Sequence, residues 1–460
     1  MTTADISEYK EFRQRYPNID SIELLSPDIN GILRGKRIPV SEAEDLYGSG
    51  INAVATMSLC NALGSVPEGL NIGLKDGDPD VVMTAVAGTL VPTPWLGDSI
   101  GQVLGQFLER DGSPGRFDPR WVLQGIVDKL AAIGVQPVVA AELEFYLLED
   151  GDSDRPVQKI AKVPGTNLSQ PGFQYAMTED LADNQDFLDD ISACCVAQNI
   201  PSTTIHSEFS PGQFELNLHH VDDPVMACDH AVLLKRIIKG TARKNGSVAT
   251  FMAKPFPDID GSGLHVHLSL YDSQGNNVFA DSDSTEEPAI SEKMRHAVGG
   301  LAETMASSMA IFAPNANSYR RLMPGVFAPL APNWGYNHRL VSLRIPVSNQ
   351  KNMRIEHRVS GADANPYLVM AAILTGVHYG LTHQCDPGEM IAEGHVMEEE
   401  NVVLPHRWEA ALDELDAGKY LPEYLGEEYF KLLAKHRRLE CDEYHSNIPT
   451  LDYQWYLRSV

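Results

Sequence analysis

Residues 137–148 read PVVAAELEFYLL, an apolar run interrupted only at Glu142 and Glu144. Side chains two apart on a strand share a face, so both carboxylates leave an otherwise core-like strand on the same side. The device recurs three times. GSGLHVHLSL (261–270) carries His265 and His267, MRIEHRV (353–359) carries Glu356 between Arg354 and Arg358, and GQFELNL (212–218) carries Glu215 and Asn217. Each segment predicts a strand with one face lining something polar. An unpaired buried charge is prohibitively costly, so buried charges pair or bind metal. Five carboxylates, counting Glu208, and a histidine suit hard divalent cations, while the nearby arginines suit phosphate and carboxylate. Metal, phosphate and carboxylate together point to an ATP-dependent ligase.

Plainer readings stand beside each motif. A half-buried strand with a solvated edge explains one glutamate more easily than two. Glu208 and Glu215 bracket FSPGQF, where Pro-Gly makes a turn, and such a glutamate is often simply on the surface. Arg339, Arg344, Arg354 and Arg358 fall within twenty residues and could be an exposed, salt-bridged sheet. They could equally grip phosphate and carboxylate in bidentate fashion. There is no Walker A motif and no G-x-G-x-x-G, so a nucleotide site here must work through metal and arginine.

Working outward, the chain of 460 residues is long enough for two or three domains. Asn30-Gly31 between SIELLSPDI and ILRGKRIPV predicts a β-hairpin. ERDGSPGRFDP (109–119) predicts a boundary, WVLQGIVDKLAAIG a helix ending at a glycine, and SQGNNVFADSDSTEEP (273–288) a polar loop that starts in a hairpin turn. We expect domains over 14–110 and 114–460. The apolar stretch 366–381 contains His378 and predicts a buried helix rather than a membrane span, and MTTADISEYKEF is not a secretory signal. Six scattered cysteines without C-x-x-C predict a reduced, cytoplasmic protein. The net charge of −27 argues against nucleic acid as a partner. Charge alone leaves open whether this acidity only maintains solubility or also draws in a polycation.

AELEF (141–145), EFSPGQFE (208–215), GSGLHVHLS (261–269), NSYRRLMPG (317–325), RIPV (344–347), RIEHR (354–358) and ANPYL (364–368), in this order and spacing, resemble the glutamine synthetase family over nearly the whole chain. The resemblance implies an α+β fold: an N-terminal β-grasp domain and a large catalytic α/β domain with antiparallel active-site strands. It also implies a homododecamer of two hexameric rings, with ATP and two or three Mg2+ or Mn2+ ions per site. By that resemblance Glu144, Glu208 and Glu215 hold one metal, and Glu142, His265 and Glu356 the second. Arg321 and Arg358, with the Gly261 backbone, take the glutamate carboxylates. Arg339, Arg344 and Arg354 face the phosphates, with His267 and Ser269 also on the ATP side. Arg339, Arg344 and Glu356 serve the phosphoryl transfer.

Two departures bear on the amine. Where ammonia-using members carry P-G-Y-E-A-P, this chain reads Pro324-Gly325-Val326-Phe327-Ala328-Pro329, and no Asp or Glu occurs from Leu46 to Pro67, where they carry an ammonium-binding acid. These departures, with DINGILRGKRIP, FMAKPF (251–256) and NWGYNHR (333–339), resemble the γ-glutamylpolyamine (γ-glutamylputrescine) synthetases of the family. They imply glutamate plus a polyamine or another small amine as substrates. Phe327 then lines an apolar amine entrance, and Tyr175 and Trp334 are candidates for cation–π contact with a far ammonium, with aromatic core packing the plainer role for either one alone. Ordinary glutamine synthetase, or an inactive structural oligomer, remains the alternative.

Overall fold

The computed structural model describes residues 4–73, 75–151, 155–170, 172–285, 288–324, 327–391 and 402–460. Gly325 and Val326, in the loop that departs from the ammonia-using pattern, lie outside the described residues.

The Asn30-Gly31 turn closes the expected hairpin of β1 (Ser21–Pro27) and β2 (Leu33–Pro39), which pair antiparallel. Gly31 takes φ +75°, a left-handed conformation that a side chain strains. β3 (Ile51–Val54), β4 (Asp80–Ala85), β5 (Val91–Pro92) and β6 (Ile100–Leu108) complete a six-stranded sheet ordered β2-β1-β6-β4-β3, with β5 also on β6. All its pairings are antiparallel except β1 on β6.

The second sheet holds β7 (Gln136–Glu149), β8 (Ser202–Ser207), β9 (Gln213–Leu218), β10 (Ser247–Thr250), β11 (Leu264–Tyr271), β12 (Trp334–Tyr336), β13 (Leu343–Ile345) and β14 (Ile355–His357). Its order is β12-β13-β14-β11-β7-β9-β8, with β10 beside β7. The four segments with alternating polar residues are thus β7, β9, β11 and β14. They are mutually antiparallel neighbours.

Alternation decides which face is which. Leu143, Phe145, Leu147, Phe214, Leu216, Leu264, Val266 and Leu268 are buried in one continuous core. Helices Pro119–Ala132, Pro224–Lys244, Glu292–Phe312 and Pro366–His383 contribute to the same core. The last is the apolar stretch expected to be a buried helix: Pro366 opens it and the Asn365 side chain caps it at Tyr367 N. No described helix is long and apolar enough to cross a membrane.

Three helices are tied together by one buried ion pair. Arg120 donates from Nε and Nη2 to the two oxygens of Asp229, both at 2.8 Å, and Tyr367 Oη donates to Asp229 Oδ1 at 2.6 Å. A two-pronged guanidinium contact satisfies both charges where water cannot. The hairpin turn is anchored to the C-terminal half: Asn365 Nδ2 donates to Asp28 O at 3.1 Å, and the buried Arg437 donates to Ile29 O at 3.1 Å.

Candidate active site

Register converts the alternation into rows across the sheet. Glu144 sits opposite Glu215, Glu142 lies between Asn217 and His265, and Glu356 lies between His267 and Arg344. Directly opposed side chains on one sheet face stand about 5 Å apart. Carboxylates, imidazoles and guanidinia from four strands therefore share one surface, and that surface floors a cavity of about 420 Å3. Every candidate residue named from the sequence lines this cavity except Ser269 and Trp334. Ser269 donates to Met353 O at 2.8 Å and lines an adjoining hollow of about 400 Å3 that shares Glu142, Asn217, His267 and Arg354 with the first. Trp334 does not reach the cavity. It is buried, with Nε1 directed at Gly388 O at 3.3 Å, because β12 turns its ring into the core.

The glutamates sort into sets. Ligand atoms of Glu142, His265 and Glu356 lie within 4.8 Å of one another, as do those of Glu144, Glu215 and His265, and those of His206, Glu208 and Glu215. The first set is the group expected for the second metal. The group expected for the first is distributed: Glu144 and Glu208 each share Glu215, and His206 joins Glu208. Oxygen donors with few imidazoles and no thiol match Mg2+ or Mn2+. Asn217 Oδ1, beside Glu142, is buried without a hydrogen-bond partner, as an acceptor awaiting a cation or its water would be.

Each group is held by its surroundings. Glu142 Oε1 accepts from His267 Nε2 at 2.8 Å, and His267 Nδ1 accepts from Arg354 Nε at 3.2 Å. Glu144 Oε2 accepts from the Gly263 backbone N–H at 2.8 Å. A Cβ on Gly263 would stand 2.9 Å from His265 Nε2, so a side chain here would crowd a candidate ligand. Glu356 accepts from Arg344 Nη1 at 2.6 Å and from Arg358 Nη1 on its other oxygen. Arg344 and Arg358 are therefore not part of an exposed salt-bridged sheet, since Glu356 and Arg358 are both buried, whereas Arg339 is exposed. Arg321 is buried too and donates to Val359 O at 2.8 Å.

The same environment divides the carboxylates by charge. Burial raises Glu215, and the neighbouring Glu142, Glu144 and Glu208 raise it further, to about 9. Burial also pushes Glu144 up, more than His265 pulls it down. Burial opposes ionisation of Glu356, but Arg358, His267, His265 and Arg344 outweigh it and hold it at about 2. Glu142 is likewise held below the usual carboxylate range, because hydrogen bonds from His265 and His267 overcome its burial. The hydrogen bond to Glu208 raises His206.

A sign follows. Without metal, Glu215 holds its proton to higher pH than a free carboxyl, because burial and the neighbouring Glu142, Glu144 and Glu208 disfavour its anion. A divalent cation needs the carboxylate, so binding releases that proton and affinity rises as pH rises toward about 9. Calorimetric titration of metal-free protein with Mn2+ at pH 7, in two buffers of different ionisation enthalpy, should show net proton release. Glu215→Gln should reduce it. Equal heats in both buffers would remove this linkage.

Among the cavity residues that went unread in the sequence are His206, Phe209, Gln213 and Lys254. His206 stands two before Glu208, and its Nε2 meets Glu208 Oε1 at 2.8 Å, so the rule used for the other pairs could have found it. Gln213 bridges Glu144 (3.3 Å) and Gly261 O (3.0 Å). Phe209 carries no local signal. Its ring stacks on Tyr175 at 4.5 Å between centroids and meets Phe327 at 5.3 Å, so three distant segments build an aromatic wall on the cavity.

The family model for the glutamine synthetase catalytic domain matches residues 116–456. The chain is 38% identical over 458 residues to γ-glutamylputrescine synthetase PuuA of Escherichia coli (strain K12), covering 100% of this chain and 96% of PuuA. It is 32% identical over 390 residues to glutamate–isopropylamine ligase of a Pseudomonas species, covering 84% of this chain and 83% of the ligase. The structure of GmaS in complex with ADP superposes with a TM-score of 0.82 at 25% identity, covering 99% of this chain and 100% of that one. The family-model match over residues 116–456 and the 38% identical relative covering the whole chain place the chain in the glutamine synthetase family.

Proposed function

We propose that this protein is an ATP- and Mg2+- or Mn2+-dependent ligase that joins glutamate to an organic amine, a polyamine above all, through γ-glutamyl phosphate. The observation that carries this reading is the aromatic wall. By the resemblance, Phe327 stands where ammonia-using members carry a glutamate, and it packs on Phe209 beside Tyr175. Relatives named for putrescine and isopropylamine support it.

A carboxylate is a poor electrophile and hydroxide a poor leaving group, so the γ-carboxylate of glutamate must first be phosphorylated. In this reading Arg321 and Arg358 hold the glutamate carboxylates beside the Gly261 backbone. Glu356 stays anionic and fixes both Arg358 and Arg344 by hydrogen bonds. Arg344 and Arg354, already held by hydrogen bonds, and the exposed Arg339 then face the phosphates. His267, locked between Glu142 and Arg354, and Ser269 mark the nucleotide side. Glu142, His265 and Glu356 would hold one metal, and Glu144, Glu208 and Glu215, with His206 beside them, the other. When bound, these ions neutralise charge on the transferring phosphoryl group. The neutral amine displaces phosphate from the acyl group, and an apolar wall keeps water from competing. A phosphate-release assay with glutamate, ATP and a panel of amines tests the reading; turnover with ammonium alone would replace it with ordinary glutamine synthetase.

The same reading makes residues 14–110 a β-grasp domain carrying the six-stranded sheet, 114–460 the catalytic domain, and the working form a cytoplasmic dodecamer of two hexameric rings. Six free thiols accord with a reducing compartment. Exposed apolar side chains near the C-terminus, including Ile448, Leu451, Tyr453, Trp455, Tyr456 and Leu457, call for a partner surface. Light scattering should give a mass about twelve times the 50.6 kDa protomer. A fully active monomer would overturn the assembly.

A further inference from the structure

Phe209 lies in the turn between Glu208 and Gln213 and acts as the hub of an aromatic cluster. Tyr175 stacks on it at 20° and 4.5 Å, Phe327 tilts against it at 30° and 5.3 Å, and Phe173 meets it edge-on at 6.4 Å. Core packing would bury such a cluster. Here Tyr175, Phe327 and Phe173 are 49%, 48% and 86% exposed, and Tyr175, Phe209 and Phe327 line the same cavity as the carboxylate set. His206, bonded to Glu208, meets Tyr175 edge-on at 6.3 Å and marks where the platform joins that set.

Resting on the amine-ligase reading, we propose that Phe209 and Tyr175, completed by Phe327 and Phe173, form a binding subsite for the far cationic end of a di- or polyamine. Aromatic faces attract an ammonium within about 6 Å of the ring centre. The choice of rings over a carboxylate suits the chemistry. The attacking nitrogen must be neutral, and a full negative charge at the mouth would stabilise its protonated form. A ring face holds the far cation through its quadrupole and leaves the near nitrogen free to lose its proton. The methylenes between lie along Phe327 and Phe209, where apolar contact favours them.

Steady-state kcat/KM for 1,4-diaminobutane and for n-pentylamine compares a far ammonium with a methyl group at matched length. The wild type should favour the diamine by about fivefold to tenfold. Phe209→Leu and Tyr175→Leu, which keep apolar volume and remove the ring, should each bring that ratio close to one. Tyr175→Phe, which keeps the face, should preserve it. Tyr175 is half-exposed, so its variants do not depend on repacking next to Glu208. Equal use of the two amines by the wild type, or an unchanged ratio in both leucine variants, overturns the subsite while leaving the ligase reading intact. Turnover of ammonium and neither organic amine overturns the ligase reading, and the subsite with it.

Discussion

Glu142→Ala should abolish ATP-dependent turnover while leaving the fold and the assembly intact. Glu142 sits at the centre of the polar face, opposite both Asn217 and His265. One oxygen takes the hydrogen bond from His267 at 2.8 Å, and the other faces His265 Nδ1 at 3.5 Å. Alanine removes a ligand from the Glu142–His265–Glu356 set and the partner that holds His267 toward the nucleotide side. It also takes one carboxylate from beside His265 and His267, leaving Glu144 near His265. The fold should tolerate this, because the opposite face of β7 supplies the packing: Leu143 and Phe145 are fully buried and untouched. We expect kcat to fall by about a thousandfold or more at saturating Mg2+, close to 4 kcal/mol of transition-state stabilisation. Glu142→Gln keeps the shape and an acceptor for His267 but lacks the charge, and it should be nearly as inactive. Phosphate release with unchanged thermal unfolding and unchanged mass would establish the point. Wild-type turnover in Glu142→Ala would show that the metal assignment is wrong.

What the sequence made legible follows from what strands do to side chains. Alternation is local, so Glu142 with Glu144, His265 with His267, Glu215 with Asn217 and Arg354-Glu356-Arg358 could each be assigned to one face before any pairing was known. The pairing itself was not local. That Glu144 meets Glu215 and that Glu356 meets Arg344 depends on the register between separate strands. Order and spacing of the family motifs supplied that register only by resemblance. The hairpin at Asn30-Gly31 and the helix Pro366–His383 were legible because turn chemistry and an unbroken apolar run act within a few residues. Trp334 takes the plainer core-packing role, because an aromatic residue beside a polar motif says nothing of which way a three-residue strand turns it. Phe209 and Phe173 were invisible for a related reason. Their meaning lies in their contact with Tyr175 and Phe327, and Phe327 is 118 positions further along the chain from Phe209. His206 was overlooked although it obeys the same two-residue rule, since it falls at the end of β8, where the apolar pattern is weak.

The amine preference carries the second large effect. Ammonium is small and strongly hydrated, so binding and deprotonating it requires anionic groups close around it. On this cavity stands Phe327, 48% exposed and tilted against Phe209 at 5.3 Å, at the position that the motif resemblance matches to a glutamate of ammonia-using members. No acid occurs from Leu46 to Pro67 to replace it. An alkyl amine gains instead from the same surface, at about 0.8 kcal/mol for each methylene removed from water. Two or three methylenes against the wall thus give roughly a tenfold to fiftyfold advantage. The protein should show kcat/KM for at least one organic amine more than an order of magnitude above that for ammonium. Phe327→Glu should narrow the gap from both sides: it removes apolar contact from the alkyl chain and adds an anion for ammonium. The reversal should be incomplete, because the second carboxylate is still missing. Phe327→Leu separates the two contributions, since it keeps an apolar wall and adds no charge; it should lower use of the organic amine without improving ammonium. Phosphate release measured with ammonium, putrescine, spermine and ethanolamine on the three proteins decides the matter. Should ammonium prove the best substrate of the wild type, the aromatic wall does not set the amine, and the chain is an ordinary glutamine synthetase.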